Sequence, residues 1–511
     1  MTQYLMTQYP MTQYLRTAAI SALLILGSGA AQTRGGTLTV AQQADIVGLD
    51  PATYSAASSA YVAEQIYDSL LTVSPKGEVE PSVASKYAVS KGGLVYTFTL
   101  RPGVKFSDGT PLTSKDVVYS LKRVLDPKTA SPRLNDLGKV VSVTAPNAST
   151  VVVTLKEAYA PFLTKIAAAG MGIMPSGYAE SHDPVKLPLG SGPFKFVSWV
   201  PGDSVTLERN PYYWEAGKPY VDKLVFKALK DDVTRITNVQ TGTVDLAVGV
   251  PQNQVDLLKK STTVTLVGGA GTWYDYLGLN LTKKPFDNLK VRQAVSYALN
   301  RDVIVKTALF GKGTPINCGP IPPTSGAYAD CKVQVYDIAK AKALMNEAGM
   351  SSGFSMTIKV GADYKSQVNI AQLIQAELKP LNITVQVTPM EWGSFLNDYT
   401  KKNYDAVVLG WIGAVDPDDF LYYQFHTGEK FNTEGFSDKE VDRLLELGRS
   451  TVDKAKRTVI YKQVQVLIAQ KMAYVFLHIN DQYEAFRPNV KGYVHYTTGS
   501  LESLKDVSLG K

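Results

Sequence analysis

Residues 96–125, YTFTLRPGVKFSDGTPLTSKDVVYSLKRVL, decide how the rest of the chain is read. Tyr96, Phe98 and Leu100 alternate with Thr97 and Thr99, a period of two that puts one apolar face on a β-strand. Arg101-Pro102-Gly103 turns that strand, and Val104-Lys105-Phe106 is long enough for a short second one. Ser107-Asp108-Gly109-Thr110-Pro111 is a run of residues that bond their own backbone or tolerate positive φ, hence a second turn. Thr113 followed three residues later by Asp116 forms a capping box, and Val117, Val118, Leu121, Val124 and Leu125 then fall at helical spacing. Asp126-Pro127 ends the helix. The unit contains neither a nucleophile beside a base nor a metal cluster.

This segment resembles the signature of the extracytoplasmic solute-binding proteins of family 5, the peptide, dipeptide and nickel receptors of ABC importers, which carry a similar LR-x-x-V-K-F-x-D-G-T-P-L-T-x-x-D-V run. Two more stretches extend the resemblance over nearly all of the chain beyond its leader. Residues 189–220 contain a G-S-G-P-F turn and R-N-P-x-Y-W at Arg209 to Trp214, and residues 286–301, FDNLKVRQAVSYALNR, resemble a helix of the family. The resemblance implies an α/β fold of the type II periplasmic-binding-protein kind, with two lobes, a hinge and an additional inserted subdomain. Lobe I is expected over residues 36–277 with the insertion at about 73–187, lobe II over 278–484, and a return to lobe I over 485–511.

Outward from the signature, local patterns agree with such a fold. Residues 36–42 alternate as a first strand, a helix is expected over 58–71, and a strand over 150–155. From residue 221 the order strand, helix, strand implies parallel α/β organisation, in which ligands gather at the carboxyl ends of strands. Residues 272–281 are expected to make the first crossing into lobe II. Helices follow at 338–348, 366–378, 391–399 and near 459–471, with strands at 355–360, 383–387 and 473–479 and a strand plus loop over 404–419.

At 511 residues the chain is too long for one core. Its net charge of +7 is spread without a block of five basic residues, so composition argues neither for nucleic acid nor for a membrane patch, and no nucleic-acid partner is expected. The N-terminus repeats MTQY at Met1, Met6 and Met11, a dubious repeated start. Arg16, the apolar run 18–26 and the small residues 27–31 then read as a secretory signal cleaved after Ala30 or Ala31. No cysteine follows the apolar run to carry a lipid anchor, so a soluble periplasmic or otherwise extracytoplasmic protein is expected. In that oxidising compartment Cys318 and Cys331, the only cysteines, are expected to pair, a free pair being the alternative.

Hydrolysis or group transfer needs an activated nucleophile or two carboxylates of separated pKa, and no GxSxG, HExxH or P-loop occurs. The Gly190-Ser191-Gly192 run lacks a P-loop context. Pro417 interrupts any EF-hand spacing in Asp416-Pro417-Asp418-Asp419, and the histidines show no metal spacing. No catalytic residue, cofactor or metal is expected. In peptide receptors of the family an Asp three residues after G-W pairs with the peptide's amino terminus, and an Arg follows the E-W-x-x-F-L helix. The matching positions here hold Ala414, after Gly410-Trp411, and Tyr399; Asp416 is the candidate to compensate. The resemblance therefore implies ligand contacts at Tyr54, Tyr274, Trp392, Tyr399, Trp411, Ala414 and Asp416. The function implied is capture of a peptide or peptide-like solute by a monomer that delivers it to an ABC permease. An oligosaccharide, an opine or a metal complex is the alternative cargo, and a periplasmic hydrolase or chaperone the alternative class.

Overall fold

The computed structural model describes residues 34–54, 56–412 and 415–510. The signal and the repeated start lie outside the described residues, as does Ala414.

The strand of the quoted stretch, Val95–Leu100, pairs with Ala84–Ser90 on one side and Thr150–Leu155 on the other, and Val140–Asn147 completes a four-stranded antiparallel sheet. Tyr96, Phe98 and Leu100 point into its core, as their period of two requires. The helix Ser114–Leu125 seals that core with Val117, Leu121 and Val124. Its capping box is formed: Asp116 Oδ2 accepts the Thr113 N–H at 2.7 Å. The other carboxylate oxygen accepts the Ser176 N–H at 2.9 Å, so one side chain satisfies a helix end and ties it to a loop. Residues 104–106 are not a strand. They make one isolated bridge, Lys105 to Pro111, closed by Phe106 N–H on Thr110 O at 2.8 Å and Leu112 N–H on Val104 O at 3.0 Å; Val104 and Phe106 are held as buried anchors of a tight turn.

A second, eleven-stranded sheet runs through the rest of the described residues. Its path is Thr384–Met390, Ser355–Gly361, Ala406–Ile412, Thr265–Leu279, Val475–Phe486, Leu246–Val248, Thr37–Gln42, Lys223–Ala228, Ser204–Arg209 and Phe194–Val200; Gly313–Pro315 adds to Val475–Phe486 off this path. Ser355–Gly361 is parallel to both its neighbours, and Thr37–Gln42 likewise. Two long antiparallel strands, Thr265–Leu279 and Val475–Phe486, join these parallel regions. Strand alternation fills separate cores on the two faces at the join. Tyr274, Tyr276 and Phe476 face one with Phe395 and Phe425; Leu277, Leu279 and Leu477 face the other with Ile358 and Val408.

The first long strand begins at Thr265, seven residues before the expected crossing at 272. Gly268-Gly269-Ala270-Gly271 hid this extension, since glycines carry no strand signal. Gly268 has φ of 131°, and a Cβ there would lie 2.1 Å from the Gln482 carbonyl oxygen, so only glycine fits. Between the pairs Ala270 with Asp481 and Tyr274 with Ile479, the register shifts: Gly271, Thr272 and Trp273 oppose Asn480 alone.

The helix expected over 58–71 is Ala57–Ile66. It stops because the chain of Gly190 and Gly192 is packed on its last turn: Gly192 N–H donates to Ile66 O at 2.9 Å, and a Cβ on Gly190 would sit 2.2 Å from that oxygen. The glycine run is thus a close-packed turn rather than a phosphate loop. The 286–301 segment is two helices, Leu289–Ala298 and Arg301–Ala308, the second capped by the Asn300 side chain on Val303 N–H. The strand expected over 473–479 extends to Phe486. Cys318 and Cys331 form a disulfide.

Candidate functional site

A cavity of about 600 Å³ opens where the two long strands cross between the parallel regions. Its walls are chain ends of the kind that the α/β pattern singles out: residues 230–235 after Lys223–Ala228, residues 249–254 after Leu246–Val248, and residues 363–367 after Ser355–Gly361. Trp273 and Asp275 from one crossing and residues 480–482 from the other complete it, with Gln43 just beyond the first strand. A smaller cavity, near 310 Å³, lies away from the crossings, bounded in part by Glu215, Lys218 and Lys505, which are ion-paired.

Asp275 is the centre of the larger cavity's wall. It is 1 % exposed and accepts three hydrogen bonds, from Trp273 Nε1 at 3.1 Å, Gln367 Nε2 at 2.7 Å and Asn480 Nδ2 at 2.9 Å. Trp273 fits because Gly410, on the neighbouring strand, leaves room: a Cβ there would be 2.2 Å from the indole nitrogen and 2.6 Å from the Asp275 carboxylate. A carboxylate only accepts, so it fixes which way both amides face. Their NH2 groups turn to Asp275, and Gln367 Oε1 and Asn480 Oδ1 are left without partners, as is Gln482 Oε1. His478 stands 3.7 Å from the other side of Asp275, with burial holding its pKa below the usual histidine value against the pull of that carboxylate.

Charge at the cavity leans negative. Asp231, Asp232, Asp363 and Asp481 line it together with Asp275, against Lys230, Arg235 and Lys365. Arg235 is already committed, to Asp232 at 2.6 Å and to the carbonyls of Leu229 and Gly249.

None of the described residues expected from sequence is among those that line this cavity. Tyr274 lies between two cavity residues in sequence but faces the opposite side of the sheet, wholly buried, its hydroxyl without a partner. Trp392 packs on Tyr364, which lines the cavity, with ring centroids 4.8 Å apart. Trp411 donates Nε1 to the Asp419 carbonyl at 3.0 Å and meets Phe431 edge-on. Tyr399 exchanges a hydroxyl hydrogen bond with Tyr276 at 3.2 Å. Tyr54 is buried beneath the Arg133 guanidinium, 4.5 Å from the ring centre, its hydroxyl unpartnered. Asp416 is 5 % exposed and takes both Arg457 terminal nitrogens, at 2.6 and 2.5 Å, while also capping Asp418 N–H at 2.9 Å. Beside it Asp418 holds Arg449 and the Tyr461 hydroxyl. Trp273, Tyr364, Gln367, Asn480 and Gln482 carried no motif; the available signal was the parity of 273 and 275 on a strand whose start was hidden by glycines.

Comparison with known proteins supplies the relatives. Residues 78–432 match the family described as bacterial extracellular solute-binding proteins, family 5 Middle. The glutathione-binding protein GsiB of Escherichia coli K12 is 30% identical over 468 residues, covering 89% of this chain and 91% of its own. The structure of the PBP AgaA of A. tumefaciens R10 in complex with agropinic acid superposes with a TM-score of 0.83 at 30% identity, covering 93% of this chain and 99% of that one. The periplasmic binding protein DppA of Helicobacter pylori, in complex with the peptide STSA, gives 0.83 at 30% identity, with 94% and 99% covered.

Proposed function

Because the chain belongs to the bacterial extracellular solute-binding proteins of family 5, we propose that it captures a peptide or peptide-like solute between two lobes and delivers it to the permease of an ABC importer. The observation that carries this is the cavity at the crossings, walled by strand ends from both parallel regions and by both joining strands, so that closing or opening about Gly268 to Trp273 changes its shape. Lobe I is assigned to residues 36–277 with an inserted subdomain at about 73–187, lobe II to 278–484, and the return to 485–511. Separate cores around Phe98, around Val40 and around Ile358 support that division. The relatives are named as binding proteins, which favours binding over turnover.

Export by the signal at residues 16–31, action as a monomer and independence of nucleic acid belong to the same proposal. Among the described residues no helix is long and apolar enough to cross a membrane. Aromatic side chains at the cavity supply contact area, Tyr364 backed by Trp392 and Trp273 held by Asp275. Asp416 is excluded from the amine-anchoring role in this proposal, because Arg457 already compensates its charge.

Calorimetry of the mature protein tests the cargo class with a pool of short peptides, the same pool acetylated at its amino termini, and a set of oligosaccharides. Heat from a peptide pool is the expected result. Binding of the oligosaccharides alone replaces the peptide reading with a sugar receptor.

A further inference from the structure

We infer that the cavity at the crossings takes a positively charged, hydrogen-bond-donating group of the cargo, an ammonium or guanidinium, on the amide oxygens of Gln367, Asn480 and Gln482 in front of Asp275. This rests on the transport reading above for the existence of a cargo, and adds its chemistry.

The first support is acceptor capacity. Gln367 is 2 % exposed, lines the cavity, and has an oxygen with no partner. A buried acceptor left unmade costs on the order of 1–3 kcal/mol, so such atoms are retained where something else comes to fill them. Its orientation is not arbitrary, because Asp275 holds the NH2 end. Asn480 repeats the arrangement from the second crossing, and the Gln482 oxygen is a third unfilled acceptor on the same wall. Three acceptors and no competing donor among them suit a group with several N–H bonds.

The second support is charge. Asp275 is held by neutral donors only; among the described residues no lysine or arginine lies within 4.0 Å of it, and its one titratable neighbour is the buried His478. A carboxylate taken out of water without a cation is costly, and a cationic ligand entering the cavity offsets that cost where a neutral or anionic one does not. Asp363 and Asp481 at the rim add to the same field. One feature opposes it: the helix Lys365–Leu378 starts at the cavity without a side-chain cap, an end that favours anions. The buried acceptors outweigh it because that end is open to water and Gln367 is not.

The test uses mature protein and probes that differ only in charge. Calorimetry compares Ala-Lys-Ala, Ala-acetyllysine-Ala and Ala-Glu-Ala, each with free and acetylated amino termini, and thermal shift compares 1,5-diaminopentane with pentane-1,5-diol. The expected result is that removing the ammonium which occupies the cavity weakens binding about tenfold or more, the scale of a charge-assisted hydrogen bond. The diamine stabilises more than the diol. Gln482→Met and Gln367→Met abolish both preferences; the Gln482 side-chain oxygen has no hydrogen-bond partner among the described residues, so Gln482→Met remains informative if Gln367→Met misfolds. Diamine stabilisation without any peptide binding retains the cation site and rejects the peptide cargo. Equal binding of charged and neutral probes, preference for the glutamyl peptide, or preferences that survive in Gln482→Met overturn the inference.

Discussion

Asp416→Asn separates a carboxylate that serves the fold from one that serves the ligand. Asp416 and Arg457 are 6 % and 10 % exposed at their side chains and are joined by two hydrogen bonds, with the guanidinium also donating to Gly448 O at 2.8 Å and Tyr461 Oη at 3.3 Å. Burial alone would depress the arginine, yet the pair with Asp416 holds its pKa above the usual value. Asparagine keeps an oxygen to cap Asp418 N–H, but it removes the charge and turns an NH2 donor toward Arg457 Nη1 in place of the second carboxylate oxygen. Uncoupling a buried ion pair costs about 3–5 kcal/mol, because the surviving charge stays buried. Asp418 remains close to Arg457 and softens this, so a loss of about 3 kcal/mol is expected, without ligand and at neutral pH. Urea denaturation of the mature protein measures it, and calorimetry with free and acetylated peptides measures binding in parallel. A stability within about 0.5 kcal/mol of wild type, the scale of surface substitutions, together with loss of free-peptide binding alone, would show that the carboxylate belongs to the cargo and would refute the reasoning.

Other perturbations probe other parts of the fold. Burial lifts the Glu434 carboxyl from 4.5 to about 8, so between those values the folded protein keeps a proton that the unfolded chain releases, and stability falls as pH rises through that window. Glu434→Gln should flatten the decline in denaturation midpoints between about pH 5 and 8.5, a range that spans the folded and unfolded pKa values; an unchanged slope counts against it. Gly268→Ala places a methyl 2.1 Å from a backbone oxygen at a positive φ, and should cost at least about 1–3 kcal/mol and alter ligand affinity; a neutral effect on both would remove Gly268 from the hinge. Replacing Cys318 and Cys331 by serine should lower stability by about 3 kcal/mol in the chain-entropy account, and thiol titration of the unfolded, unreduced wild type should find no free thiol.

Short-range chemistry in residues 96–125 was enough to place a strand, two turns and a capped helix, because alternation, turn residues and the Thr113/Asp116 cap act within a few positions. The same stretch, with the 189–220 and 286–301 segments, carried the family, and two cysteines in a chain expected to be exported carried the disulfide. Tertiary structure alone decided the rest. Whether residue 273 or 274 faces the cavity depends on a register shift opposite Asn480, and a shift of one residue turns every side chain to the other face of a strand. Asp416 is legible in the sequence as a candidate anchor; its pairing with Arg457, 41 residues on, is not. Asp275 gathers Gln367 from 92 positions away and Asn480 from 205, contacts for which no local pattern exists, since they form only when separate strands and a helix end close around one buried carboxylate.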